Sequence, residues 1–132
     1  MDFKKFCQKY ASEINGEYRD YDDSQAVIIV PLADGRFQTI TGHITYNDEY
    51  AREVVQLKTK VCSLSDKIPY NELLRESASY PYSKFIIEDD FLKVESIAFL
   101  VNLNEKMIKE MFMEIAHHAD SWEYRITGKD IH

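Results

Sequence analysis

The chain has 132 residues, 45% of them hydrophobic and 30% charged, the length and mix of one folded domain rather than of a disordered segment. Its 16 basic and 23 acidic side chains leave a formal net charge of -7, which argues against a general attraction to nucleic acid or anionic membrane and favours a basic or neutral partner. No stretch approaches the roughly 18 apolar residues of a membrane-spanning helix, and MDFKKFCQKYASEI has no continuous apolar signal region, so a cytoplasmic chain is expected.

In chain order, Phe3, Phe6, Cys7, Tyr10 and Ile14 recur at the spacing of an amphipathic helix, with Lys4, Lys5, Lys9 and Glu13 off the stripe. Asn15-Gly16 supplies the left-handed stop that such a helix needs. After the acidic, tyrosine-rich EYRDYDD comes QAVIIVPL, short, apolar and β-branched, which predicts a strand buried on both faces. Asp34-Gly35 suits a hairpin turn. FQTITGHITY then alternates, with Ile40, Gly42, Ile44 and Tyr46 on one face and Thr39, Thr41, His43 and Thr45 on the other. REVVQLKTKVCSL repeats the pattern, Val55, Leu57, Thr59 and Val61 sharing the apolar side.

Pro69 opens a second helix on which Tyr70, Leu73, Leu74, Ser77 and Ala78 share a face, and Pro81 ends it. SKFIIEDDFLKVESIAFLVN reads as two strands meeting near Asp89-Asp90, Phe85 to Ile87 and Val94 to Val101, the tail of the second apolar enough to be central or doubly covered. Asn102 or Asn104 caps a last helix whose stripe is Ile108, Met111, Phe112, Ile115 and Ala119. Trp122 and Tyr124, beyond that helix, are placed to staple the tail onto the core. Consecutive strands with short links pair antiparallel and the helices cover one face. The expected fold is a single α+β domain over residues 1–132, an antiparallel sheet of about five strands covered by helices in the order α-β-β-β-α-β-β-α.

The most chemical stretch is EIAHHADSWEY. At about 100° per residue His117 points away from the apolar stripe, while Glu114 and His118 share a flank as an i, i+4 pair. The Glu-x-x-His spacing occurs once, where a di-iron carboxylate site takes two such motifs and two further glutamates. The His-Glu-x-x-His order of a zincin is absent from the sequence. A solvated helix face is therefore expected. His43 has no carboxylate orienter close in sequence and reads as an exposed sheet residue, and His132, the terminal residue, is expected to be mobile. Cys7, inside a helix stripe, and Cys62, alternating away from the apolar face of its strand, read as reduced thiols without the positioned His or helix N-terminus of a nucleophile. Glu88 with Asp89-Asp90 is turn chemistry, and the lone glycines of ADGR and ITGKD lack a nucleotide-binding frame. No catalytic residue, metal ligand or cofactor is expected. EYRDYDD is either a solvated strand lead-in or a binding segment, in which Tyr18, Tyr21, Asp22 and Asp23 would join charge to flat aromatic anchors for a partner.

Taken together, the helix FKKFCQKYASEI, the strands QAVIIVPL, RFQTITGHITY and REVVQLKTKVCSL, the helix YNELLRESAS, the strands SKFIIEDD and FLKVESIAFLVN, and the helix NEKMIKEMFMEIAHHAD resemble the superfamily of type III secretion chaperones and YbjN-type proteins over nearly the whole chain. The resemblance implies a non-enzymatic, cytoplasmic homodimer that binds a protein or extended peptide segment, with the middle helix at the dimer contact. In this sequence that helix offers Tyr70, Leu73 and Leu74. Two other readings compete. An acidic neutralising partner, such as a toxin immunity protein, would use the net charge and the tyrosine/aspartate run. A metal-dependent or acid/base enzyme would use His43, Glu114, His117 or His118.

Overall fold

Asp2 starts the first helix, α1 (Phe3–Glu13), its carboxylate accepting from the Lys5 N–H at 3.1 Å, and Asn15 ends the turn that follows with φ 57°. The computed structural model describes residues 1–128, so the expectations for His132 and for the end of ITGKD lie outside the described residues. EYRDYD departs from expectation: it is a strand, β1 (Glu17–Asp22), paired antiparallel with β2 (Gln25–Pro31). Then come β3 (Phe37–Asn47), β4 (Arg52–Ser63), α2 (Tyr70–Ser77), β5 (Ser83–Glu88), β6 (Phe91–Phe99) and α3 (Glu105–Thr127). Among the described residues the strands form one six-stranded antiparallel sheet in the spatial order β1-β2-β3-β4-β6-β5, one strand more than expected. The α+β class and the placing of the helices are as the sequence indicates.

One face of the sheet is covered. Ile28, Ile40, Leu57 and Val94 meet Phe6 and Tyr10 of α1, Leu73 of α2 and the whole predicted stripe of α3 in one core. The Tyr10 and Phe112 rings lie 5.3 Å apart and the Phe6 and Tyr10 rings 5.6 Å apart, which ties α1 to α3. Gly42 is where α1 rests on the sheet: a Cβ there would stand 2.6 Å from Phe3 Cζ. Burying each of these large apolar side chains contributes about 1.5–3 kcal/mol.

Several local expectations are corrected by this layering. β2 is not buried on both faces: Ala26, Ile28 and Val30 are covered, while Val27 and Ile29 are half-exposed because, among the described residues, no helix lies over the second face. Tyr46 is 61% exposed, since β3 runs past the helical layer. Ile97 is exposed, and a 3-10 turn, Leu100–Asn102, replaces the expected end of the last strand. Cys62 points inward with Val61 because a β-bulge between Lys60 and Cys62 shifts the register against β6. Burial raises the Cys62 thiol and pushes Cys7 up to about 12. Trp122 and Tyr124 lie inside α3, which continues to Thr127 and stops at Gly128 with φ 70°. Trp122 is buried and meets the Phe85 ring edge-on, whereas Tyr124 is exposed. The turns follow their residues: Asp89 and Asp90 both take positive φ in a two-residue hairpin from Glu88 to Phe91.

Candidate functional site

The uncovered face of the sheet carries the outward positions of the strand alternation. Phe37, Thr39, Thr41 and His43 of β3, Lys58 and Lys60 of β4, Lys93 of β6 and Glu88 at the end of β5 line a cleft of about 550 Å³. The register places Thr41 opposite Lys58 and Lys60 opposite Lys93, so the lysines gather over the middle strands. Glu88 accepts from Lys58 at 2.8 Å and from Lys93 at 2.7 Å. Those two bonds hold its carboxyl at about 2, well below the ordinary 4.5, with burial opposing them. Lys60 Nζ stands 4.1 Å from the centre of the Phe91 ring. Burial, helped by the Lys58 charge, pushes the His43 pKa below 6.5, so the ring is neutral at physiological pH and offers one donor and one acceptor. Phe37 also lines a neighbouring hollow of about 310 Å³ with Ile29 and Pro31.

The flank formed by α2 and β5 has a different character. Leu73 points into the core with 1% exposure, while Tyr70 and Leu74 are 41% and 66% exposed. Tyr70, Leu74, Phe85, Ile86 and Ile87 line an apolar groove of about 300 Å³ over Leu73 and Leu92. Among the described residues β5 is an edge strand, paired with β6 alone, so one side of its backbone has no strand partner there. Of the three residues expected at a dimer contact, the structure brings two to the surface and sets the third beneath them.

β1 forms the opposite edge of the sheet. Tyr18 is half-buried against the core and Tyr21 is 71% exposed. Asp22 shapes the turn into β2, accepting from the Ser24 N–H at 2.9 Å and its hydroxyl at 3.1 Å, which holds its carboxyl below the usual range. Asp23 is exposed beside it, and Asp20 takes an ion pair from Lys4 at 2.6 Å.

The helix histidines part from the expected pairing. Glu114 accepts from the Tyr82 N–H at 3.0 Å and from the Ser83 hydroxyl, fastening the start of β5 to α3. His118 stacks instead on Tyr80, with centroids 3.6 Å apart, and burial lowers its pKa. His117 is exposed. The sheet lies between His43, on the open face, and the two histidines of α3, on the covered face. Among the described residues no group of three His, Cys, Asp or Glu side chains is placed to hold a metal. Sequence reasoning did not single out Lys58, Lys60, Lys93 and Glu88 as a group. Its one usable signal was that Lys58 and Lys60 occupy the wet side of their strand.

No family model and no curated protein sequence matches the chain. Solved structures do match. A chain of the HopA1-SchA chaperone-effector complex superposes with TM-score 0.59 at 13% identity, covering 92% of each chain. The Yersinia pestis type III secretion chaperone SycH, solved with a stable fragment of YscM2, gives 0.57 at 10% identity over 91% of this chain and 98% of that one. A chain of the ExsC-ExsE complex gives 0.53 at 13% identity over 94% and 92%. The chain has a type III secretion chaperone-like fold.

Proposed function

We propose that this protein is a non-enzymatic, chaperone-like binding module that holds an extended segment of a protein partner and acts as a homodimer joined through α2 and β5. One observation carries the reading: the fold matches, over nine-tenths of the chain, structures described as a chaperone–effector complex and as a secretion chaperone holding a fragment of another protein. The surfaces are of the right kind, since two sheet edges and one open face can take an extended chain by strand addition or by pocketing alternate side chains. The apolar groove at Tyr70, Leu74 and Ile87 offers exposed apolar area for such a contact, over Leu73 in the core. Two buried free thiols suit a cytoplasmic setting, and no described helix is long and apolar enough to cross a membrane.

Analytical ultracentrifugation of the wild type and of Leu74→Asp tests the dimer. A dimer that becomes a monomer in the variant, with unchanged circular dichroism, is expected; a wild-type monomer at high micromolar concentration removes the homodimer. Affinity capture from the host lysate with limited proteolysis tests the binding role. One partner protected along a single extended segment is expected, and recovery of the protein alone counts against it.

A second reading draws on β1 and the turn after it, where Glu17, Asp20, Asp22 and Asp23 lie at one sheet edge, Glu17 paired with Arg19 and Asp20 with Lys4. An acidic neutralising partner would use that edge, and its association would weaken steeply from low to moderate salt.

A further inference from the structure

We propose that the lysine-lined cleft on the open sheet face recognises a carboxylate of the bound partner segment, selecting acidic side chains that follow an apolar one. The proposal rests on the peptide-binding reading and names what such a peptide must carry. Lys58, Lys84 and Lys93 pair there with Glu88, Asp89 and Glu95, and Lys60 adds a fourth ammonium, so the positive charge left over in this patch of a chain of net charge -7 stands at Lys60.

The seat is already built. Lys58 and Lys93 reach in from separate strands and converge on the two oxygens of Glu88 at 2.8 and 2.7 Å. Glu95, itself buried, draws Lys58 to 3.8 Å and Lys84 to 3.5 Å and steadies both. Lys60 lies opposite Lys93 in the ladder and forms no ion pair among the described residues; its ammonium rests over the Phe91 face at 4.1 Å. A second carboxylate entering from the open side therefore meets Lys60 directly and shares Lys58 and Lys93 with Glu88. Thr39 and Thr41 add hydroxyl donors, and the neutral His43 ring adds one N–H. At the other end Phe37, 41% exposed, joins the cleft to the hollow of Ile29 and Pro31, which suits an aliphatic or aromatic side chain. From Phe37 to His43 the strand runs about 20 Å at roughly 3.3 Å per residue, the reach of an extended segment of about six residues. A lysine or arginine in the same place would face the ammonium groups.

Fluorescence anisotropy with a labelled synthetic peptide tests this, the peptide carrying leucines toward one end and glutamates toward the other, beside twins with glutamine or lysine in place of glutamate. The glutamate peptide is expected to bind the full-length protein about tenfold tighter than the glutamine twin, and the lysine twin more weakly still. Lys60→Gln and Lys58→Gln should each weaken the glutamate peptide about threefold to tenfold and leave the glutamine twin unchanged. Glu88→Gln, which withdraws the resident carboxylate, should tighten it. Circular dichroism checks that each variant is folded. Equal affinity for all three peptides, or an acidic preference that survives the double change of Lys58 and Lys60, overturns the carboxylate seat while the peptide-binding reading stands. Failure of all three to bind at millimolar concentration overturns the seat and counts against peptide binding on this face.

Discussion

Replacing Glu88 by glutamine isolates the energetics of the two-lysine seat. In the folded chain the bonds from Lys58 and Lys93 hold the Glu88 carboxyl at about 2 instead of 4.5. At roughly 1.4 kcal/mol per pKa unit a fall of that size would correspond to about 3 kcal/mol of stabilisation of the ionised form. The side chain is 36% exposed, however, and solvent screening at such a position leaves about 1 kcal/mol. Because the folded pKa is depressed, this contribution is complete above 4.5 and is lost as the pH falls from there toward about 2. Urea unfolding followed by the fluorescence of the single tryptophan, buried Trp122, measures it. Glu88→Gln should be about 1 kcal/mol less stable than wild type near neutral pH, with the gap closing as the wild-type carboxylate protonates. A gap that is constant with pH, or a variant more stable than wild type at neutrality, would refute the assignment of the low pKa to these lysines.

Other expectations test the layers around the site. Leu73→Ala should cost about 2–5 kcal/mol because the side chain is 1% exposed, whereas Leu74→Ala, measured by thermal unfolding below the concentration of self-association, should stay within about 0.5 kcal/mol. Equal losses would mean that α2 faces the sheet differently. Gly42→Ala should cost about 1–3 kcal/mol by forcing a Cβ against Phe3, and a Phe3→Leu background should recover part of it in a double-mutant cycle. His118 has a folded pKa below 6.5, so its contribution is full above 6.5 and fades as the pH falls through the lowered value. His118→Phe should keep the stack on Tyr80 and flatten that acid-side loss, and identical pH profiles would sink the burial argument.

What could be read from the sequence was what periodicity records. The α1 and α3 stripes and the alternation of β3 and β4 each bury one face, and most residues named for those faces are in the core; Ile14 and Ile44 pack against it partly buried, Thr59 is buried as a hydrogen-bond partner of Gln38, and Tyr46 at the open end of β3 is exposed. β1 left no such trace, since five of its six residues are exposed and only backbone pairing to β2 makes it a strand. The inward turn of Cys62 was equally hidden, because a bulge is a one-residue shift fixed by the partner strand. The end of α3 did leave a signal: Ala119, Trp122 and Ile126 continue its spacing, and Gly128 is the stop. The lysine seat was out of reach for a topological reason. The β5–β6 hairpin brings Glu88 and Lys93 together locally, but Lys58 joins them only because β6 lies beside β4, a pairing of segments far apart in sequence that nothing local records.

The same topology separates charges that the net value merges. An acidic chain favours a basic partner only if its carboxylates are spread evenly, and here they are not. β1 carries Glu17 and Asp22 on the open face with Arg19 paired to Glu17, and Asp20 on the covered face against Lys4, while Lys58 and Lys60 stand on β4, three strands away. Three strand spacings amount to about 14 Å, and charges in physiological salt are screened over about 8 Å. Under the proposed peptide-binding reading, a segment crossing the sheet would meet two electrostatic environments in succession, not one averaged field. A uniformly basic segment complements β1 and is opposed over β4 and β6. A segment that changes sign along its length complements both, so the proposed binding role predicts selection by that patterning more than by net charge.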